Sequence, residues 1–323
     1  MALGTLLEVL LALQIPLVGA LILAMAGVPA LLVGLGWGTA WFSLYGALLL
    51  GASGAVGGWS LALILGSLLL VPSALLAWAL KQRIGTLSAL ALSLGMAFLV
   101  SASLWSVAPL FGETGVQLWG LRDNFLQQGM IIEGQLRKVY TAQEMDPASV
   151  AMILEQFRGW INYLALLVPM TFLFLWHIAS MGVFFWGARR FGDRFGILLD
   201  PLPAFSTWKA DWNLIWVFLG GWLLFNGAGW FAPLGLENLM RMIGANCLTI
   251  SKVLYSVLGF SLLFYYFGVY QVSSPNRVGL SIIATFFYQV PIWLGIADIW
   301  FDFRAPKAPE TKKDAADDSD SFF

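Results

Sequence analysis

The sequence predicts an all-α, polytopic transmembrane helical bundle of about eight spans with an extracytoplasmic amphipathic helical insertion, and three observations predict it. Of the 323 residues, 59% are hydrophobic and only 11% charged, against roughly 25% charged in soluble globular chains. Most of the charges fall in three stretches, 112–159, 188–211 and 304–323, and only nine lie elsewhere. Between those stretches, apolar runs recur at about the 20 residues a bilayer-crossing helix needs. Together these exclude a soluble enzyme.

Reading along the chain, apolar segments occupy 5–25, 28–50, 59–80, 85–110, 160–187, 213–232, 243–270 and 278–301. Pro16, Pro29 and the Gly34, Gly36, Gly38 run can break the first two into three shorter helices, which would make nine spans. A basic n-region is missing, because the first charge is Glu8. The N-terminal segment is therefore expected to stay as a span, uncleaved at Ala24-Met25-Ala26. Four parts follow: an N-terminal bundle at 1–111, the insertion at 112–159, a C-terminal bundle at 160–303 and a charged tail at 304–323. From Ala305 onward the Pro, Lys and Asp content predicts disorder.

Basic residues in short loops set orientation. Lys81 and Arg83, the group from Arg189 to Lys209, and Arg277 share one side of an eight-span path, which assigns them to the cytoplasm. The insertion and the tail are then extracytoplasmic, in a multi-pass protein of the bacterial cytoplasmic (inner) membrane.

Inside the insertion, Leu118, Leu121, Phe125, Ile132, Leu136 and Tyr140 recur at helical spacing. Asp146-Pro147 reads as a helix start, a capping oxygen followed by proline at the first helical position. Val150, Ile153, Leu154 and Phe157 continue that helix's apolar face. These helices can cover the outer ends of the spans, close over a cavity or dock a partner. The crossing Leu199-Asp200-Pro201-Leu202-Pro203 is not expected to be helical throughout, since proline disfavours helix at the residue before it.

Polar residues inside spans must face protein or a cavity. Lys252 is the sharpest, costing about 2–3 kcal/mol on insertion scales unless it snorkels; it reads either as a snorkelling or structural residue or as a contact for an anionic or carbonyl-bearing ligand. Asn246, Asn226 and Gln289 can bond across helices. Asp298 and Asp302, four apart with Arg304 nearby, can take a proton or cation or simply end a span at the interface. His177, the only histidine, is either a packed residue or a pocket lining. Glu237 and Arg241 are spaced as an i,i+4 helix pair. Ala20-xxx-Ala24 and Ala26-xxx-Ala30 offer small faces for helix packing or a partner.

Other classes lack their signatures. A net charge of −1 argues against a nucleic-acid partner, which needs a basic surplus. One cysteine, Cys247, excludes intrachain disulfides and cysteine-rich metal sites. No zinc-protease helix, nucleophile elbow or phosphate-binding loop occurs. No catalytic residue, metal site or cofactor is therefore expected, and the chain does not read as an enzyme.

Leu202-Pro203-Ala204-Phe205-x-x-Trp208, followed by Asn246, Gly259 and the closing Gly295-Ile-Ala-Asp298-Ile-Trp300-Phe301-Asp302-Phe303-Arg304, resembles the YybS-like family of bacterial polytopic membrane proteins of unassigned function. That family is in turn similar to the substrate-capture (S) components of energy-coupling factor transporters, whose small-residue faces dock a coupling subunit; the resemblance makes Ala20 and Ala24 the matching pair. It implies a small-solute binding or transport-related component with Lys252, Asn246, His177 and Asp298 as ligand-binding candidates, the lipid bilayer as surroundings and a coupling or envelope subunit as partner. The rival expectation is a scaffold or assembly protein of the cell envelope that uses helices 117–158 as its partner surface.

Overall fold

The computed structural model describes residues 23–82, 84–107, 118–168 and 170–304, with no strand among them. The all-α expectation holds. The chain divides into two compact units: Met1–Pro203 with Trp216–Ser251, and Ala204–Ile215 with Lys252–Phe323.

In the first unit the core forms around α1 (Gly27–Gly36), an apolar helix with buried residues on every side. A helix hydrophobic all round has to be wrapped by others. Around it pack α2 (Thr39–Leu65), α3 (Val71–Lys81) and α7 (Met170–Gly192), with Leu31, Leu65, Leu69, Leu76 and Phe184 filling the centre. Small residues set the approach of α1 to α7. A Cβ on Gly27 would fall 2.1 Å from the Phe184 ring, and one on Gly187 would fall 2.6 Å from Val28. The expected break in the glycine run appears between Gly36 and Thr39, where Gly38 has φ 89°.

From Thr39 to Lys81 the chain is nearly continuous helix, kinked at Gly58, whose φ of 71° lies in the left-handed region that glycine tolerates. A π-helical turn at Gly66–Leu70 joins α2 to α3. The cause is local. Pro72 has no N–H to give the Leu68 carbonyl, and the Val71 N–H bonds Gly66 instead of Ser67. Two carbonyls, Ser67 and Leu68, are thereby released for side-chain donors. Helix α4 (Thr86–Val107) packs against α3 and α7.

The insertion is a helical hairpin of α5 (Leu118–Ala142) and α6 (Pro147–Leu167). Asp146 caps α6 as expected, its Oδ2 accepting from the Ser149 N–H at 3.0 Å. Val150 and Leu154 are buried, with Ile153 and Phe157 half-buried. On α5 the expected face is partly corrected. Ile132 is exposed, while Gly129 and Glu133 are buried; Gly129 sits so close to α6 that a Cβ would lie 2.6 Å from Ile161. The side chains of Leu118 and Leu121 lie outside the described residues.

Helices α8 (Leu214–Asn226) and α9 (Glu237–Val269) each give residues to both units. Glu237 and Arg241 form the expected i,i+4 pair at 2.8 Å. The rest of the second unit is α10 (Ser274–Phe286), α11 (Gln289–Phe301) and the non-helical crossing, in which only Phe205–Thr207 makes a 3₁₀ turn.

The count of about eight spans is not confirmed by the described helices. Among the described residues four are long and apolar enough to cross a membrane, or six if two bent pairs each count once. The expected second and third spans became α1 and the two arms of the kinked α2–α3 rod. The expected span at 160–187 starts later, at Met170, because its first residues belong to α6. Those at 213–232 and 278–301 are broken, by 59° between Asn226 and Ala228 and by 98° between Phe286 and Gln289. The first expected span falls almost wholly outside the described residues.

Candidate functional site

Asp298 lies in the second unit, and glycines bring it there. Gly259 on α9 and Gly295 on α11 meet backbone to backbone. A Cβ on Gly259 would lie 1.8 Å from the Pro291 carbonyl oxygen, and one on Gly295 would lie 2.1 Å from that of Tyr255. About two turns beyond Gly295, α11 ends at Asp302, whose φ of 40° reverses the chain. The reversal returns Arg304 to Asp298, and the two form an ion pair at 3.1 Å with both side chains only 5% exposed.

Arg304 is held on other sides as well. Its Nη1 donates to the Ser206 carbonyl at 2.7 Å and to Ser261 Oγ at 3.0 Å. Its guanidinium carbon stands 6.0 Å from the centre of the Tyr265 ring. The Ser261 hydroxyl, near the middle of α9, points at the carbonyls of Phe205 and Trp208 at 2.7 and 3.0 Å. Ser261 thus fixes the proline-aromatic crossing to α9, and Phe205 packs edge-on against Trp208 and Phe264.

Beside the buried pair is a second, half-exposed one between Lys209 and Asp302. Lys209, Asp302, Asp298, Leu258, Gly295 and Ile299, with Ala210, line a pocket of about 150 Å³. Asp298 Oδ1 is buried and has no hydrogen-bond partner among the described residues. The arrangement offers a carboxylate oxygen with spare accepting capacity beside a small pocket walled by opposite charges.

The other expected site residues lie apart from this cluster in role. Asn246, 5% exposed, is fully occupied. Its Oδ1 accepts from Thr171 N and Oγ1 at 3.0 and 2.8 Å, and its Nδ2 donates to the Leu166 and Met242 carbonyls at 2.7 and 2.9 Å. Thr171 opens α7 and Leu166 closes α6, so Asn246 serves backbone groups that the break between those helices leaves without helical partners. Two of its four bonds, from the Thr171 N–H and to the Leu166 carbonyl, serve that break; with the Thr171 hydroxyl and the Met242 carbonyl they use the full capacity of an amide side chain.

His177 is buried on α7 and serves the π-turn. Ser101 donates to the released Ser67 carbonyl at 2.9 Å, and Ser101 Oγ lies 3.0 Å from His177 Nε2. With the Ser101 proton so used, His177 Nε2 is the donor in that contact. Trp105 donates to Ser67 Oγ at 2.7 Å, and Trp176 to the released Leu68 carbonyl at 3.4 Å. Lys252 is exposed on α9. Ala24 is buried, and Ala20 lies outside the described residues.

Sequence reasoning missed Glu133. It is 9% exposed and takes a two-pronged bond from Arg158, Nε to Oε2 at 2.7 Å and Nη2 to Oε1 at 2.6 Å, with Arg137 at 3.4 Å. The hydrogen bond from Arg158 holds the Glu133 carboxyl below its usual range, and burial opposes that only in part. The same bond raises Arg158. The Glu133–Arg137 spacing was visible in the sequence; the partner 25 residues away was not.

Among the described residues, no group of three or more His, Cys, Asp or Glu is placed to hold a metal ion. In comparison with known proteins, a family model described as "Predicted membrane protein (DUF2232)" matches residues 4–299, nearly the whole chain. No curated protein and no solved structure matches.

Proposed function

The chain belongs to the DUF2232 family of predicted membrane proteins, and from that premise we propose that it binds a small solute and acts in its transport together with a membrane-protein partner. We place it in the bacterial cytoplasmic membrane. The observation that carries this reading is the buried Asp298–Arg304 pair, with an unpartnered carboxylate oxygen beside a pocket. Ionisable residues in apolar helices are costly and mark ion or substrate paths more often than they serve packing. Broken helices are the usual setting of such sites in transporters, and α11 belongs to a pair bent by 98°.

Size narrows the ligand. About 150 Å³ falls well below the roughly 300–1,000 Å³ of drug-sized pockets, so the pocket suits an ion or an amine of a few heavy atoms. A cation there would use Asp298 Oδ1 and compete with Lys209 for Asp302. The sequence carries no phosphate-binding loop, so on this reading energy would come from a partner or a gradient.

The test is a panel of sodium, potassium and methylammonium chlorides at constant ionic strength, added to the purified full chain in detergent. Each variant's unfolding midpoint is compared with its own baseline. One cation should stabilise the wild type by about 2.7 kcal/mol at a hundred times its dissociation constant, and Asp298→Asn should abolish the shift. No cation-specific shift in the wild type, or an unchanged one in Asp298→Asn, sinks the reading. The envelope-scaffold alternative would instead show crosslinks to a partner that vanish when 117–158 is deleted, with no cation effect.

A further inference from the structure

The hairpin of α5 and α6 carries a second cavity, which the ion-pair pocket does not involve. A half-open cleft of about 520 Å³ runs between the two helices near their shared turn. Its volume lies within the range of small-molecule sites. Neither helix of the hairpin is among those long and apolar enough to cross a membrane, so the cleft is read as facing water.

Its wall has two kinds of surface. Met145, Val150 and Leu154 supply apolar area, while Arg137, Thr141, Glu155 and Arg158 supply polar groups. The charges balance in number but are not all paired in contact. Glu133, behind the cleft, is committed to Arg158 through two bonds of 2.7 and 2.6 Å, and reaches Arg137 only at 3.4 Å. Arg137 therefore keeps donors to spare, with its side chain 59% exposed. Glu155 is exposed on α6, three residues before Arg158, whose charge it feels more weakly than Glu133 does, and no salt bridge holds it among the described residues. A guanidinium and a carboxylate thus stand on the two helices flanking an apolar strip.

We infer that this cleft binds a small zwitterion of dipeptide size, its carboxylate on Arg137, its ammonium on Glu155 and its apolar body on Val150, Leu154 and Met145. A purely anionic ligand would meet Glu155, and a purely cationic one would meet both arginines. Carrying both charges satisfies both walls. The volume exceeds what a single amino acid fills and matches two residues. A zwitterionic lipid headgroup shares the charge pair, but carries no apolar body between its charges to cover the strip.

The experiment titrates the purified full chain with L-leucyl-L-leucine by calorimetry, beside N-acetyl-leucyl-leucine, which lacks the ammonium, and leucyl-leucinamide, which lacks the carboxylate. The free dipeptide should bind saturably. Each blocked peptide should bind at least about tenfold more weakly, as should the free dipeptide to Arg137→Gln or Glu155→Gln, since each loses one charge-assisted contact. Both substituted side chains are largely exposed, so the variants should keep the wild-type unfolding midpoint, and this is checked first. If a variant does unfold, the blocked peptides on the wild type still decide the matter. Absence of saturable binding overturns the inference, as does equal binding of the acetylated peptide. Displacement of the dipeptide by a short-chain phosphatidylethanolamine that binds more tightly overturns it too, and assigns the cleft to a lipid headgroup.

Discussion

Replacing Asp298 by Asn leaves Arg304 buried without its counter-charge, and the cost follows from the geometry. At 3.1 Å and an effective dielectric of about 20, the mutual attraction is about 5 kcal/mol. Desolvation of the two ions consumes much of this, so the intact pair adds little to net stability. Losing one partner is different: the other keeps its desolvation cost and loses its compensation, which typically amounts to about 3–5 kcal/mol. Arg304→Met should cost a similar amount, since it also strips a donor from the Ser206 carbonyl and Ser261. The double variant Asp298→Leu with Arg304→Met removes both charges and should recover at least about 2 kcal/mol of the summed single losses. The half-exposed Lys209–Asp302 pair is the internal control, and Asp302→Asn should cost less than about 1 kcal/mol. Tryptophan fluorescence during reversible unfolding in mixed micelles reads all four. Single losses below about 1 kcal/mol, or a double loss equal to the sum of the singles, would refute the claim that the two charges are held as one buried unit.

Further outcomes follow from the same geometry. Asn246→Leu should destabilise the chain by about 2 kcal/mol in the same unfolding assay, more than the ~0.6 kcal/mol typical of interhelical bonds in membranes, because backbone groups at two helix ends lose their partner together; a loss no greater than that average would remove Asn246 from the role of clip. Gly259→Ala places a Cβ 1.8 Å from the Pro291 carbonyl oxygen, which only backbone movement can relieve. It should cost at least about 1–3 kcal/mol, and amides at the end of α11 should exchange hydrogen faster. The Glu133–Arg158 pair sets a pH dependence. Glu133 titrates lower in the folded hairpin than in the unfolded chain, so its contribution is complete above the unfolded value of about 4.3 and is lost as pH falls through the lower folded value. Hydrogen exchange in α5 and α6 should therefore accelerate below about pH 4, and Glu133→Gln should remove that pH step; an unchanged step would place its origin elsewhere.

The sequence showed helices readily and their breaks less so. Apolar content and turn chemistry were sufficient for the all-α bundle, the Asp146 cap and the Gly36–Thr39 interruption, because each depends on neighbours within a few residues. Span counting diverged where an apolar run was read straight through a break. Pro169, which disfavours helix at the residue before it, marks the stop at Leu167 and the restart at Met170. It does not mark the partner: Asn246, which satisfies the freed groups, lies 75 residues beyond Thr171. For the candidate site, the i,i+4 spacing of Asp298 and Asp302 was visible. Their separate fates were not: Asp298 went to Arg304 and Asp302 to Lys209, and the positive φ at Asp302 divides them. Lys252 stood out because a charge in an apolar run always does, yet a helix has an outer face, and composition cannot say which residues occupy it.

Asn246 also imposes a timetable on biogenesis. The Thr171 N–H that it satisfies precedes it by 75 residues, which at about 5–20 residues per second is roughly 4–15 s of synthesis. For that interval the junction between α6 and α7 has emerged from the ribosome without the side chain that finishes it. Until α9 arrives, the insertion machinery handles a junction whose loose backbone groups need water or a chaperone. The junction is therefore completed late in assembly, and a chain truncated before residue 246 should leave the translocon with the Thr171 N–H and the Leu166 carbonyl still lacking their side-chain partner.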